Sequence, residues 1–84
     1  IGYQAGVSNA PDVLTGNGTE NLFLGYQSGE SNTTGRNNLF VGFRSGAYNT
    51  TGANNVALGY EAGPAPGSPS LTNTAAIGYN ARVS

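Results

Sequence analysis

Four carboxylates, three arginines and one isolated tyrosine are the residues of this chain whose chemistry invites attention, and their spacing restricts what they can do. Asp12, Glu20, Glu30 and Glu61 are the side chains available for a carboxylate pair or a calcium site. They stand at different positions of an internal repeat, so stacking the repeats does not align them, and the Gly-Gly-x-Gly-x-Asp calcium repeat is missing. Solvated surface charge is the expected role. Arg36 and Arg44 fall in loops or at strand ends, where one of them can pair with Glu20, Glu30 or Glu61 on a neighbouring repeat. The chain has no histidine, cysteine or lysine. A set of nucleophile, base and orienting group cannot be assembled from what is left, and a zinc site and disulfides are excluded. No enzyme and no cofactor is expected.

Other features point to recognition. Asn17-Gly18-Thr19, Asn32-Thr33-Thr34 and Asn49-Thr50-Thr51 match the N-glycosylation pattern, although turn chemistry is the favoured reading of these Asn-rich loops. The threonine pairs at 33–34 and 50–51 make an array too short for an ice-binding face. Tyr48 stands apart from the other tyrosines and is, with Asp12, the candidate ligand contact. The formal net charge of -1 and the lack of lysine remove the electrostatic footprint of a nucleic-acid binder. No apolar run is long enough to insert across a membrane.

The elements that position these residues are repeats. A Gly-aromatic pair occurs five times, as Gly2-Tyr3, Gly25-Tyr26, Gly42-Phe43, Gly59-Tyr60 and Gly78-Tyr79, at intervals of 23, 17, 17 and 19 residues. The units NLFLGYQSGESNTTGR, NLFVGFRSGAYNTTGA and NVALGYEAG align without gaps. The extra length of the outer intervals falls where the middle copies carry SNTTG, which marks insert loops 10–17 and 64–70, both rich in turn formers. The whole of 1–84 is thus one repeat segment, with repeats beginning near 2, 25, 42, 59 and 78. Ile1 begins inside a repeat, as in a piece of something longer.

A short apolar run bounded by Asn and Gly precedes each pair, and it reads as a strand of about five residues. Helix is disfavoured by glycine recurring every few residues, at about 1 kcal/mol each. The expected architecture is all-β: a parallel β-solenoid or β-roll with one coil per 17-residue repeat, rising about 4.8 Å per coil. Equivalent side chains then form ladders: Leu22, Leu39 and Val56; Leu24, Val41, Leu58 and Ile77; Tyr26, Phe43, Tyr60 and Tyr79; and an amide ladder of Asn21, Asn38 and Asn55, with Thr74 in the last place. Gly29, Gly46 and Gly63 are expected at corners. Two-residue alternation puts Phe23 and Phe40 on the opposite face, shared with Arg44 and therefore the wetter one. Large aromatics left there predict association with further copies of the chain, and Phe23 and Phe40 are the expected oligomer interface. Open solenoid ends add the prospect of a head-to-tail filament.

The stretch LGYQSGESNTTGRNNLFVGFRSGAYNTTGANN resembles the 17-residue repeats of phage tail-fibre and bacterial surface proteins, found upstream of endosialidase-type intramolecular chaperones. LTNTAAIGYNARVS is similar to the head repeats of YadA-type trimeric autotransporters. The resemblance implies a homotrimeric extracellular shaft or head segment, on a virion tail fibre or a bacterial cell surface, without catalysis. The competing expectation is a module that binds a host glycan or receptor through insert loops 10–17 and 64–70.

Overall fold

In a computed structural model that describes residues 1–12 and 14–84, the chain is all-β, with no helix among the described residues. The strands are β1 (Leu22–Leu24), β2 (Leu39–Val41), β3 (Val56–Leu58), β4 (Gly63–Pro64), β5 (Ala75–Ile77) and β6 (Arg82–Val83). β1, β2, β3 and β5 form one parallel sheet in that order, and β4 pairs in parallel with β6. The register follows the repeat: Leu22 faces Leu39, Leu39 faces Val56, and Val56 faces Ala75. The first copy extends the stack with backbone bonds from the Gly25 N–H to the Ile1 carbonyl and from the Gln27 N–H to the Tyr3 carbonyl, both 2.7 Å.

The strands of the larger sheet are three residues long, shorter than the sequence suggests. Each ends at the glycine of the Gly-aromatic pair, where φ lies between 123° and 130°. A side chain is excluded there for a second reason. A Cβ on Gly25, Gly42 or Gly59 would lie 2.6–2.7 Å from the carbonyl oxygen of the equivalent glycine in the next copy. The strand is also bounded by left-handed residues that are not glycine: Glu20, Asn37, Asn54 and Asn73 two places before it, and Gln27, Arg44, Glu61 and Asn80 two places beyond that glycine, all with φ of 52–60°. These bends turn the chain out of the sheet and return it in register for the next copy.

The two faces of the sheet are the reverse of the sequence expectation. The middle residue of each strand, Phe23, Phe40, Ala57 and Ala76, is buried inside the chain, with Phe40 fully enclosed. Phe23 and Phe40 stack with centroids 5.4 Å apart. They are core side chains, and the assignment of Phe23 and Phe40 to an oligomer interface is corrected accordingly. Strand alternation holds only from Leu39 to Val41. Gly42 and Arg44 adopt positive φ, so Arg44 says nothing about the side to which Phe40 points. The rings fit inside because the corner residues Gly29 and Gly46 lack side chains: a Cβ at either would run into the ring of Phe23 or Phe40 respectively. Where the core residue shrinks to Ala57, the chain closes in. A Cβ on Gly63 would lie 2.9 Å from the Gly46 backbone and 3.6 Å from Ala57 Cβ.

Buried serines and asparagines share the interior with Ala47, Ala62 and Pro64, and their side chains are hydrogen-bonded. Ser28 and Ser45 donate from Oγ to the Phe40 and Ala57 carbonyls at 2.9 and 2.7 Å. The Asn49 amide donates to Asn32 Oδ1 at 2.8 Å, and Asn32 donates in turn to Asn9 Oδ1 at 2.6 Å. Burying amides without such partners would be strongly unfavourable.

Candidate functional site

The ladder residues do stack, and they do so on the open side of the sheet. Tyr3, Tyr26, Phe43, Tyr60 and Tyr79 form a continuous column with centroid separations of 4.9–5.2 Å and interplanar angles of 15° or less. Beside it run Leu24, Val41, Leu58 and Ile77, in strand register, and then Leu22, Leu39 and Val56. Leu22, Leu24, Tyr26, Phe43 and Tyr60 are 39–50% exposed. The result is an apolar strip on which none of the three arginines or four carboxylates stands.

Asn21, Asn38 and Asn55 also align, but not as an amide-to-amide ladder. Each Oδ1 accepts the backbone N–H of the next copy at 3.0 Å, from Asn38, Asn55 and Thr74. Each Nδ2 donates across the repeat to a loop carbonyl, of Gly35, Gly52 or Leu71, at 2.8–2.9 Å. They tie loop to strand and copy to copy. Amide-to-amide bonding along the stack occurs at Asn9, Asn32 and Asn49, to which Asn21 and Asn55 also donate, at Asn9 Oδ1 and Asn49 Oδ1, and between Asn37 and Asn54 on the outside.

This arrangement assigns the Asn-Thr-Thr loops to the scaffold. Asn32 and Asn49 are fully buried, so a glycan on either amide is incompatible with the fold. The Thr33 and Thr50 hydroxyls bond to the Thr50 and Pro69 carbonyls at 3.3 Å, which removes them from any outward-facing array.

The two inserts differ. At insert 10–17 the N–H groups of Ala10 and of Gly18, the residue after the insert, bond to the Thr33 and Thr34 carbonyls, and Asp12 bridges Asn17. Asp12 Oδ1 accepts the Leu14 N–H at 3.0 Å, and the Leu14 side chain stands 93% exposed. Val13 of this insert lies outside the described residues. The 64–70 insert folds onto the stack: Pro64 belongs to β4, and the Pro69 carbonyl accepts the N–H groups of Thr50, Thr51 and Gly52 at 2.9–3.3 Å.

Tyr48 and Asp12, the two candidate ligand contacts, occupy different settings. Asp12 is engaged within its own loop. Tyr48 has two guanidiniums over its ring, with Arg44 Cζ 5.6 Å and Arg82 Cζ 5.4 Å from the centroid. Arg44 faces Glu30 at 3.6 Å and Arg82 faces Glu61 at 3.9 Å. Among the described residues no group of three or more His, Cys, Asp or Glu side chains is placed to hold a metal ion. Arg82 escaped the sequence reading, although one signal was there: it replaces the glycine found at this place in the other four copies. No protein-family model matches the chain, and no curated protein or solved structure does either.

Proposed function

We propose that the chain is a non-catalytic structural segment, a parallel β-solenoid with one turn per repeat, that associates as a homotrimer in the shaft or head of an extracellular fibre such as a phage tail fibre or bacterial adhesin. The observation that supports this most is the charge-free strip of Leu22, Leu24, Leu39, Val41, Val56, Leu58 and the aromatic column on the open sheet face. An apolar surface of this extent in water favours association, and closed cyclic symmetry lets every copy cover the same strip. Parallel in-register stacking suits a shaft, because the object lengthens by adding copies.

Sedimentation equilibrium tests the reading: a mass three times the 8.5 kDa of the chain is expected, reduced to monomer by Val41→Lys. A wild-type monomer at high concentration would overturn the trimer, and particles elongating by other than about 4.8 Å per repeat in electron microscopy would overturn the solenoid. Leu14 favours a second reading, in which insert 10–17 contacts a receptor, since a pre-organised loop displays it fully to solvent. Loss of cell attachment on deleting this insert, with the oligomer intact, would favour that reading over a pure shaft.

A further inference from the structure

In a repeat protein the scaffold asks for the same residue type at the same place in every copy, so departures that converge in space need another explanation. Three converge at Tyr48. Tyr48 stands where the other copies have Ser8, Ser31, Ala65 and Ser84, and it is the one tyrosine outside the aromatic column. Arg44 stands where they have Gln4, Gln27, Glu61 and Asn80, and Arg82 where they have Gly6, Gly29, Gly46 and Gly63. Two of the three cations in the chain, 38 positions apart, thereby meet on one ring.

A brace between copies is the plain structural account, and its geometry is poor. The charge pairs at 3.6 and 3.9 Å are longer than a charge-assisted hydrogen bond. Among the described residues neither guanidinium donates a hydrogen bond to the protein, and of their donors the Arg44 Nε is buried without a partner, so a ligand would be met by the terminal NH groups. Planar guanidinium forks that make no hydrogen bond to their glutamates, grouped on an aromatic ring, suit a ligand that combines an oxyanion with a ring presenting a face of C–H groups. Glu30 and Glu61 lie close by, 23% and 28% exposed. They can accept sugar hydroxyls, and they hold the patch near neutrality, which disfavours polyanions.

We infer that Arg44, Tyr48 and Arg82 form a binding site for a saccharide bearing a single carboxylate, with the guanidiniums taking the carboxylate and the tyrosine packing against the ring. The site stands off the apolar strip and does not depend on the trimer reading. A small, open site of this kind predicts a Kd on the order of 1–10 mM.

The test is a chemical-shift titration of the intact protein with D-glucuronate, followed at the Arg Nε–H and Tyr48 signals, with D-glucose and acetate as paired controls. Saturable shifts with glucuronate are expected, at least about tenfold weaker with either control. Arg82→Gly and Tyr48→Ser restore residue types of the other copies and so preserve the fold, which circular dichroism verifies. Each should weaken glucuronate binding about tenfold or more. Four outcomes overturn the site: no saturable shift up to about 50 mM glucuronate, equal response to glucose, equal response to acetate, or unchanged binding in both folded variants. Variants that only lower the unfolding temperature, with the glucuronate response intact, would identify the cluster as a brace.

Discussion

The inner and outer faces of one four-stranded sheet are built from the same three-residue strands, yet they obey different rules. Inside, Phe23 and Phe40 give way to Ala57 and Ala76, serines and asparagines are buried beside them, and every amide of the Asn9, Asn32 and Asn49 row has a partner. Outside, leucine, valine and aromatic side chains repeat in columns that are exposed or half-buried. Apolar character therefore does not distinguish inside from outside in a repeat this small. What decides is the space a corner glycine leaves: the rings of Phe23 and Phe40 lie over Gly29 and Gly46.

Substitutions can break this contrast. Phe40→Ala should have the largest effect, about 3–5 kcal/mol in denaturant unfolding, because it empties the most enclosed site of a small core. Asn49→Ala should cost about 2–3 kcal/mol, since it removes the donor to Asn32 Oδ1 and to the Gly52 carbonyl at 2.8 and 3.1 Å, where Asn32 and Asn49 are both fully buried. Gly46→Ala should cost about 2 kcal/mol, combining a Cβ against the Phe40 ring with a φ of 63°, whereas Gly67→Ala, with nothing within 4 Å, should be close to neutral. On the outer face Leu24→Ser should change the unfolding of an isolated chain by under about 1 kcal/mol, while shifting sedimentation towards smaller species. A loss comparable with Phe40→Ala would mean that Leu24 belongs to the core of the single chain. Finally, Glu20→Asn should stabilise by about 0.5 kcal/mol: Glu20 holds φ of 59° where three other copies have asparagine, which tolerates that backbone better.

Much of this was legible before the fold. The five Gly-aromatic pairs fixed the register, and the ladders Leu22–Leu39–Val56 and Tyr26–Phe43–Tyr60–Tyr79 run as the repeat predicts. Face assignment failed because the alternation rule was extended from Val41 through Gly42 to Arg44, across two residues with positive φ. The candidate site was half legible. Tyr48 stood out as the tyrosine without a column, but its partner Arg82 lies two copies away along the stack, and the inserted residues between them conceal that neighbourhood.

The sequence by itself determined which residues are equivalent, because a stack of parallel copies brings equal positions together whatever the detailed path of the chain. It also determined that each copy must bend at fixed glycines. Only the tertiary structure decided which side of the strand is enclosed and how the asparagines are bonded. It also decided that insert 64–70 folds back on the scaffold while insert 10–17 holds Leu14 in solvent. Those outcomes depend on the path between strands, on left-handed bends at residues such as Asn37 and Arg44 and on the room beside Gly29 and Gly46, and the hydrophobic pattern of a three-residue strand does not encode that path.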